Sequence, residues 1–453
     1  MQKIDVITDY SPMPEWYHVT TLSNFVRGYD KYKGQYSKAN IGQSTFPDQF
    51  FLLKEDELPI GIAKASKLLS KLNLDGDRLI ALKTRAYADN LKRDHASGVA
   101  QYLPQNYIHL DSVYFIEGDA QTDAPKLVKA QVEDVVAQSF EVINDTLLPW
   151  AELTPRSVSV LPIAMACQAS CKFCFSKASV SSGFQGHISD WDRITSVLAE
   201  AKAAGAERAV ITGGGEPTLL KPDHLVSLVG KCAAEFNKVV LITNGHLLGK
   251  ATPEKRLDAL SRLDAAGLSV LAISRHHHDR DKNSAIMGLD TKTEELLESL
   301  RNHSAALTHI SPRLICVLQD DGVGNVKDME DYLSWAAAQG VRQVNFKELY
   351  VSTSNESAFS DLQANFYSAQ HQVPLRVVHD FAEKHGWAKL AELPWGAPIY
   401  SGEWNGKEMQ IAAYTEPSVY WERTNGVARS WNLMSDGTTL ASLEDPNSQV
   451  SPR

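Results

Sequence analysis

Three cysteines, Cys167, Cys171 and Cys174, fall within eight residues in the spacing CxxxCxxC. Thiolates packed this closely hold a metal, and two centres compete for them. Zinc closes a tetrahedron with four ligands, so a zinc site needs a fourth side chain, with His187 or the run His276, His277 and His278 as candidates. Iron–sulfur cubanes also take four thiolates as a rule. Three thiolates leave one iron without a protein ligand and open to an exogenous one. A second chemical signal is the run Gly213, Gly214, Gly215, Glu216 and Pro217. Glycine serves where a backbone turns tightly or approaches a ligand. The run lacks the Lys and Ser/Thr of a phosphate loop, and a carboxylate beside the glycines repels an anion. Glu216 therefore suits a cationic partner.

These residues need elements to place them. From about Ser157 the sequence alternates strand and helix for about six rounds. SVSVLPIAMA reads as a strand running into the cysteines. A helix follows, with Ser189 as its cap, Asp192 three residues on and Gly205 as its stop. Strands are expected at 208–212, 238–243, 268–274, 312–319 and 342–349. Helices are expected from Pro222, from Thr252 to Ala266, around Thr291 to His303 and from Asn325. Strands separated by helices imply a parallel sheet. The expected fold class is α/β, a partial (β/α)6 barrel spanning 156–350, whose chemistry collects at the C-terminal ends of its strands. The cysteines follow the first strand, TGGGEPT the second, TNG with Asn244 the third and SRHHHD the fourth, so four suggestive stretches meet on one rim.

The first 155 residues lack this rhythm and read as an N-terminal α+β region: helices at 64–74 and near Lys126 to Phe140, a strand at 112–118. Residues 351–453 read as a small β-rich extension, with strands at 409–415, 418–424 and 429–443 and a hairpin turn at Asp436–Gly437. Trp395, Trp404, Tyr414, Tyr420, Trp421 and Trp431 make it a candidate lid over the barrel mouth, although packing of a small sheet explains them as well.

The formal net charge of −10 supplies no large cationic field for a phosphate backbone. Lysines and arginines between Lys64 and Arg93 are interleaved with Asp75, Asp77, Asp89 and Asp94, the pattern of a solvated surface. No secretory signal opens the chain and no apolar run approaches the roughly 18 residues of a membrane span, so a cytoplasmic location is expected. Five cysteines, three of them crowded together, make a poor disulfide framework and a good metal site.

The cysteine spacing and GGGEP together resemble the radical SAM superfamily, over roughly Ser157 to Leu349. The resemblance implies that Cys167, Cys171 and Cys174 bind one 4Fe-4S cluster whose fourth iron is chelated by S-adenosyl-L-methionine. It implies reductive cleavage of that cofactor to a 5'-deoxyadenosyl radical, which abstracts hydrogen from a substrate. Phe173 matches the aromatic that packs near the adenine, and Gly213, Gly214, Gly215 and Glu216 match the loop that binds the methionine ammonium. Ser274, Arg275 and Asn244 occupy rim positions suited to the cofactor's ribose or carboxylate, or to simple turns. The histidines invite substrate contact or proton transfer more than a metal, because neighbours on an extended chain point in different directions. Cys232 and Cys316 read as small buried hydrophobes, with hydrogen-atom donation a second reading for Cys316 on a barrel-lining strand.

The texture after the fourth strand is similar to the branch that includes the molybdenum-cofactor cyclase. With no cysteine after Cys316, the C-terminal auxiliary cluster of that branch is not expected. A small-molecule biosynthetic substrate is the leading expectation, with an electron donor such as flavodoxin or ferredoxin as partner and no nucleic acid or membrane. Two alternatives stay open: modification of a peptide or RNA gripped by the N-terminal region, and a non-catalytic iron–sulfur redox protein.

Overall fold

The computed structural model describes residues 148–175, 186–350, 363–417, 422–423, 425–443, 445 and 447–450, and the backbone of four strands at 15–21, 79–86, 108–117 and 126–130. The chain forms two compact units. The first comprises Met1–Leu148 with Ser352–Ser354 and Pro417–Thr424. It contains an antiparallel sheet of β1 (Glu15–Thr21), β2 (Leu79–Ala86), β3 (Ile108–Glu117) and β4 (Lys126–Ala130), paired in that order. The strand expected at 112–118 lies in β3. The helix expected near Lys126 to Phe140 is corrected at its start, where Lys126–Ala130 pairs with β3, from Glu117↔Lys126 to Val113↔Ala130, and the rest of it lies outside the described residues. Five residues of mixed pattern take the conformation that an available strand edge offers, whatever their local period. The helix expected at 64–74 lies outside the described residues.

The second unit, Pro149–Val351, Asn355–Glu416 and Asn425–Arg453, carries the strand–helix rhythm. Its elements in chain order begin with β5 (Thr154–Pro155), β6 (Val158–Val160), α1 (Trp191–Ala203), β7 (Ala209–Ile211), α2 (Pro222–Glu235) and β8 (Val239–Thr243). There follow α3 (His246–Lys250), α4 (Pro253–Ala265), β9 (Val270–Ser274), α5 (Arg280–Met287), α6 (Thr293–Asn302), β10 (Ser311–Leu318), α7 (Val326–Ala338) and β11 (Gln343–Glu348). The C-terminal segment adds α8 (Gln363–His371), α9 (Arg376–Lys384), β12 (Ala388–Glu392), β13 (Pro398–Trp404), β14 (Lys407–Tyr414), β15 (Val427–Ala428), β16 (Trp431–Leu433) and β17 (Thr439–Leu440).

Eleven of these strands form one open sheet in the order β12-β13-β14-β11-β10-β9-β8-β7-β6-β16-β17. The six strands β6 to β11 are parallel and consecutive, the α/β arrangement expected of a partial barrel. Two later strands lengthen the parallel run at opposite edges: β14 beside β11 and β16 beside β6. Apart from β15, which pairs with β5, the C-terminal strands thus belong to the same sheet as the β/α core. The Asp436–Gly437 turn joins β16 to β17 as expected, with Gly437 at φ +89°. Trp404 packs on Phe381 and His385, and Trp395 donates to Thr415 O at 2.9 Å, so both pack within their own unit. Tyr420 and Trp421 lie outside the described residues.

Strand alternation sorts side chains onto two faces. Val158, Val160, Ile211, Leu241, Leu271, Ile273, Leu314, Leu318, Val344 and Phe346 join the large core under the helices. Val240, Val270 and Ala272, with Val210, Ile242 and Ile315, form a separate small cluster on the inner face. The cap of α1 is Asp190 and not Ser189. Its carboxylate accepts from Arg193 N at 2.8 Å, and Asp192 falls inside the first turn, where a negative charge suits the helix dipole.

Candidate functional site

Cys167 and Cys171 are held by different segments, and Cys174 by a turn within the motif. The chain leaving β6 passes Ile163 and Ala166 to reach Cys167, and the glycine run after β7 lies directly against it. A Cβ on Gly214, which sits at φ +87°, would meet Ile163 O at 2.4 Å, and one on Gly215 would meet Ala166 O at 2.3 Å. Glu216 N donates to Ala166 O at 2.8 Å. The glycines are thus required for backbone-to-backbone approach, while Gly213 faces open space.

The buried Glu216 carboxylate gathers the ends of two strands. Oε1 accepts from Thr218 N at 3.1 Å, Thr218 Oγ1 at 2.7 Å and Thr243 Oγ1 at 2.5 Å, and Oε2 accepts from Asn244 N at 2.8 Å. Oε2 keeps capacity for one more donor. Asn244, 6% exposed, brings the end of β8 onto the cysteine loop: Nδ2 donates to Cys167 Sγ at 3.7 Å and to Gln168 Oε1 at 3.3 Å.

Cys171 is held from α5. Its Sγ donates to Met287 O at 3.9 Å, Ser170 N donates to the same carbonyl at 2.9 Å, and Gly288, at φ +61°, leaves room for the Ser170 hydroxyl. Cys174 N closes a turn onto Cys171 O at 3.1 Å. Phe173 stands edge-on to His276 with centroids 5.1 Å apart and 6.5 Å from the Tyr367 ring of α8, over which Lys172 Nζ sits at 5.6 Å. Gln168, Thr243, Met287, Gly288 and Tyr367 escaped the sequence reading. Only Gly288, a helix-ending glycine, carried a local signal.

The rim after β9 divides sharply. Ser274 is half-buried and shares the inner face with Val270 and Ala272. Arg275 is fully buried on the other side, where it pairs with Glu294 at 2.6 Å, donates to His277 O and His278 O and lies over Trp335. Its guanidinium is engaged in structure, which removes it as a carboxylate ligand. His276 is buried back on the inner side; its Nδ1 accepts from Val317 N at 3.1 Å, and burial with Arg275 nearby pushes its pKa down to about 3. His277 Nδ1 accepts from Asp279 N, and burial lowers its pKa to about 4. Because Nδ1 of His276 and of His277 accepts from a backbone N–H, each neutral ring carries its proton on Nε2 and has no free lone pair for zinc; His187 lies against His224, with ring centroids 6.1 Å apart.

Cys316 belongs to the helix-facing core, where its Sγ donates to His276 O at 3.6 Å. The hydrogen-donor reading is corrected: β10 presents Ile315, not Cys316, to the inner face. Cys232 is buried in the same core.

The donor chemistry of the loop fits a metal centre. Burial, reinforced by the charges of Cys174 and Cys167, pushes the Cys171 thiol up to about 12; Cys167 is raised by burial and by Glu216. Thiols held protonated in this way, Cys167 and Cys171, become thiolates when a cationic centre binds. Gln168 Nε2, beside Cys167, is buried without a protein acceptor. An orphaned donor at that position is one that a bound anion or sulfur would satisfy.

Residues 161–320 match the family model described as the radical SAM superfamily. The chain carries a radical SAM domain. The match begins after β6 and ends after β10, and so spans the cysteine loop, the glycine run and the β8 and β9 rim. No curated protein matches the chain in sequence. Among solved structures, it is similar to native anSMEcpe with bound AdoMet and Kp18Cys peptide, at 16% identity over 42% of this chain and 51% of that one, TM-score 0.32. A radical SAM methyltransferase from Sphaerobacter thermophilus matches at 15% identity over 67% of this chain and 73% of that one, TM-score 0.32. Coproporphyrinogen III oxidase (HemN) from Escherichia coli, a radical SAM enzyme, matches at 14% over 55% and 56%, TM-score 0.30. This chain spans about half the length of the first of these. Likenesses this distant say nothing about substrate. Among the described residues, no helix is long and apolar enough to cross a membrane.

Proposed function

We propose that the protein is a radical SAM enzyme in which Cys167, Cys171 and Cys174 hold one 4Fe-4S cluster and the rim from Gly213 to Ser274 holds S-adenosyl-L-methionine. With both bound and an electron supplied by a donor of the flavodoxin or ferredoxin kind, reductive cleavage of the sulfonium provides a 5'-deoxyadenosyl radical for hydrogen abstraction from a small biosynthetic substrate. The observation that carries the reading is the joining of two motifs far apart in sequence: Glu216 binds Ala166 through its backbone nitrogen, and its carboxylate braces Asn244 against Cys167.

The chain's own residues have separable tasks. Glu216 Oε2 accepts from a cationic amine, while Gly213, which faces open space, leaves room for the ligand and Gly214 and Gly215 hold the run against Ile163 and Ala166. Phe173 offers an apolar face for a purine, and Ser274 a hydroxyl on the inner side of the sheet. The apolar inner cluster of Val240, Val270 and Ala272 excludes water from the floor beneath the reacting atoms. Arg275 is left out of the cofactor set.

The test is anaerobic reconstitution with iron and sulfide, followed by dithionite and S-adenosyl-L-methionine. The expected products are 5'-deoxyadenosine and methionine, and none from Cys171→Ala. A fully loaded cluster that yields no 5'-deoxyadenosine would contradict the reading and favour a redox carrier.

A further inference from the structure

Asn244 sits where a turn is needed, and half of its carboxamide answers that need. Oδ1 accepts from His246 N at 2.9 Å, across Gly245 at φ +74°. A backbone N–H can only donate, so this bond fixes the orientation of the amide, and Nδ2 is turned towards the cysteine loop. There it meets Cys167 Sγ at 3.7 Å and Gln168 Oε1 at 3.3 Å. The second bond fixes the Gln168 amide in turn and leaves its Nε2 as the buried donor without a protein acceptor. Asn244 is itself held: its own N–H is bound by Glu216, which also holds Thr243 and Thr218. Two carboxamides thus stand in series beside one cysteine: the Asn244 amide cannot turn without losing the His246 N–H, nor the Gln168 amide without losing Asn244 Nδ2.

We propose that Asn244, seconded by Gln168, is a positioning residue that raises the reduction potential of the iron–sulfur centre by donating a hydrogen bond to the Cys167 sulfur. The proposal rests on the cluster-binding reading above. Hydrogen bonds to cluster sulfurs are among the determinants of potential. The sulfur bears more negative charge in the reduced state, so a donor stabilises that state more than the oxidised one. A higher potential eases reduction of the centre by its external donor, at a cost to the driving force for passing the electron on to the sulfonium. Cys167 is the exposed member of the trio, so water would otherwise compete for its sulfur. Asn244 therefore does more than form a turn: one end of its amide shapes the β8 rim and the other sets the electronic character of a ligand on a different loop.

The experiment is an EPR-monitored redox titration of the anaerobically reconstituted full chain, comparing wild type with Asn244→Ser, Asn244→Asp and Gln168→Ala. Serine and aspartate can both still accept from His246 N, so the turn survives, while the shorter serine hydroxyl does not reach the Cys167 sulfur and the aspartate carboxylate has no proton to donate. Asn244→Ser is expected to shift the midpoint to a more negative value, Asn244→Asp further still because it adds charge, and Gln168→Ala by the smallest amount. An Asn244→Ser midpoint equal to that of wild type would overturn the proposal, whatever Gln168→Ala does. Loss of iron loading in both Asn244 variants would overturn it too, since the residue would then be holding the loop and not tuning the sulfur. Failure of the wild type to bind iron is a different outcome, and it would remove the cluster reading itself.

Discussion

The two faces of one parallel sheet have been put to different uses. On the helix side, β6 to β11 present a continuous apolar surface that includes Leu241, Leu271, Leu314 and Phe346, and the groups that look chemically interesting there are structural: Arg275 is locked to Glu294 and Cys316 is packed among aliphatics. On the inner side, a smaller cluster floors a rim carrying Ser274, His276 and, one strand over, Asn244. Ser274 and Arg275 are neighbours in sequence and serve opposite faces. A side-chain period of two means that a single residue step exchanges stability for chemistry.

Variants on the two faces should therefore separate folding from cofactor binding. The largest effect on stability is expected from Phe346→Ala on the helix side, a loss of about 3–5 kcal/mol read from the urea midpoint. Arg275→Met comes next: it leaves Glu294 and two carbonyls without their partner and should cost about 3 kcal/mol, while isothermal titration of the folded, loaded protein finds S-adenosyl-L-methionine affinity within about twofold of wild type. A larger loss of affinity would return Arg275 to the cofactor set.

The rim histidines should give the fold a pH dependence. His276 and His277 have folded pKa values near 3 and 4, below the unfolded value of about 6.5, so the unfolded chain binds more protons at mildly acid pH. Stability is complete above pH 6.5 and falls as pH drops towards the folded values. His276 alone should remove about 2 kcal/mol between pH 7 and pH 5. His276→Gln should flatten that slope in urea titrations at the two pH values, and an unaltered slope would mean the ring is not buried neutral. The smallest effect on stability is reserved for Ser274→Ala, within about 0.5 kcal/mol. The same change should weaken S-adenosyl-L-methionine binding by about fivefold, the worth of one hydrogen bond of about 1 kcal/mol.

Much of this was legible in the sequence because it rests on local pattern. The six strands of the β/α core and most of its helices follow from apolar period and from Pro222, Thr252 and Gly205. The cysteine spacing and GGGEP announced the two halves of the site. What escaped depends on contacts between distant segments. The pairing of β14 and β16 with opposite edges of the sheet is a matter of long-range register that neither strand encodes alone. Asn244 was picked out as a rim residue, but not its bond to Cys167, because nothing in TNG specifies which loop packs against it. Arg275 departs from its expected place because the apolar run of β9 does not say which face the residue after it takes. Met287 O, the anchor of Cys171, is a backbone atom and left no trace in residue type.

The claim on which the rest depends is that three cysteines hold a four-iron centre with a corner reserved for S-adenosyl-L-methionine, and Mössbauer spectroscopy of the 57Fe-reconstituted, oxygen-free protein tests it most directly. About four irons per chain in one cubane is the composition expected, with one iron site changing its parameters when the cofactor is added. Zinc in place of iron, or four iron sites that do not respond to the cofactor, would contradict it.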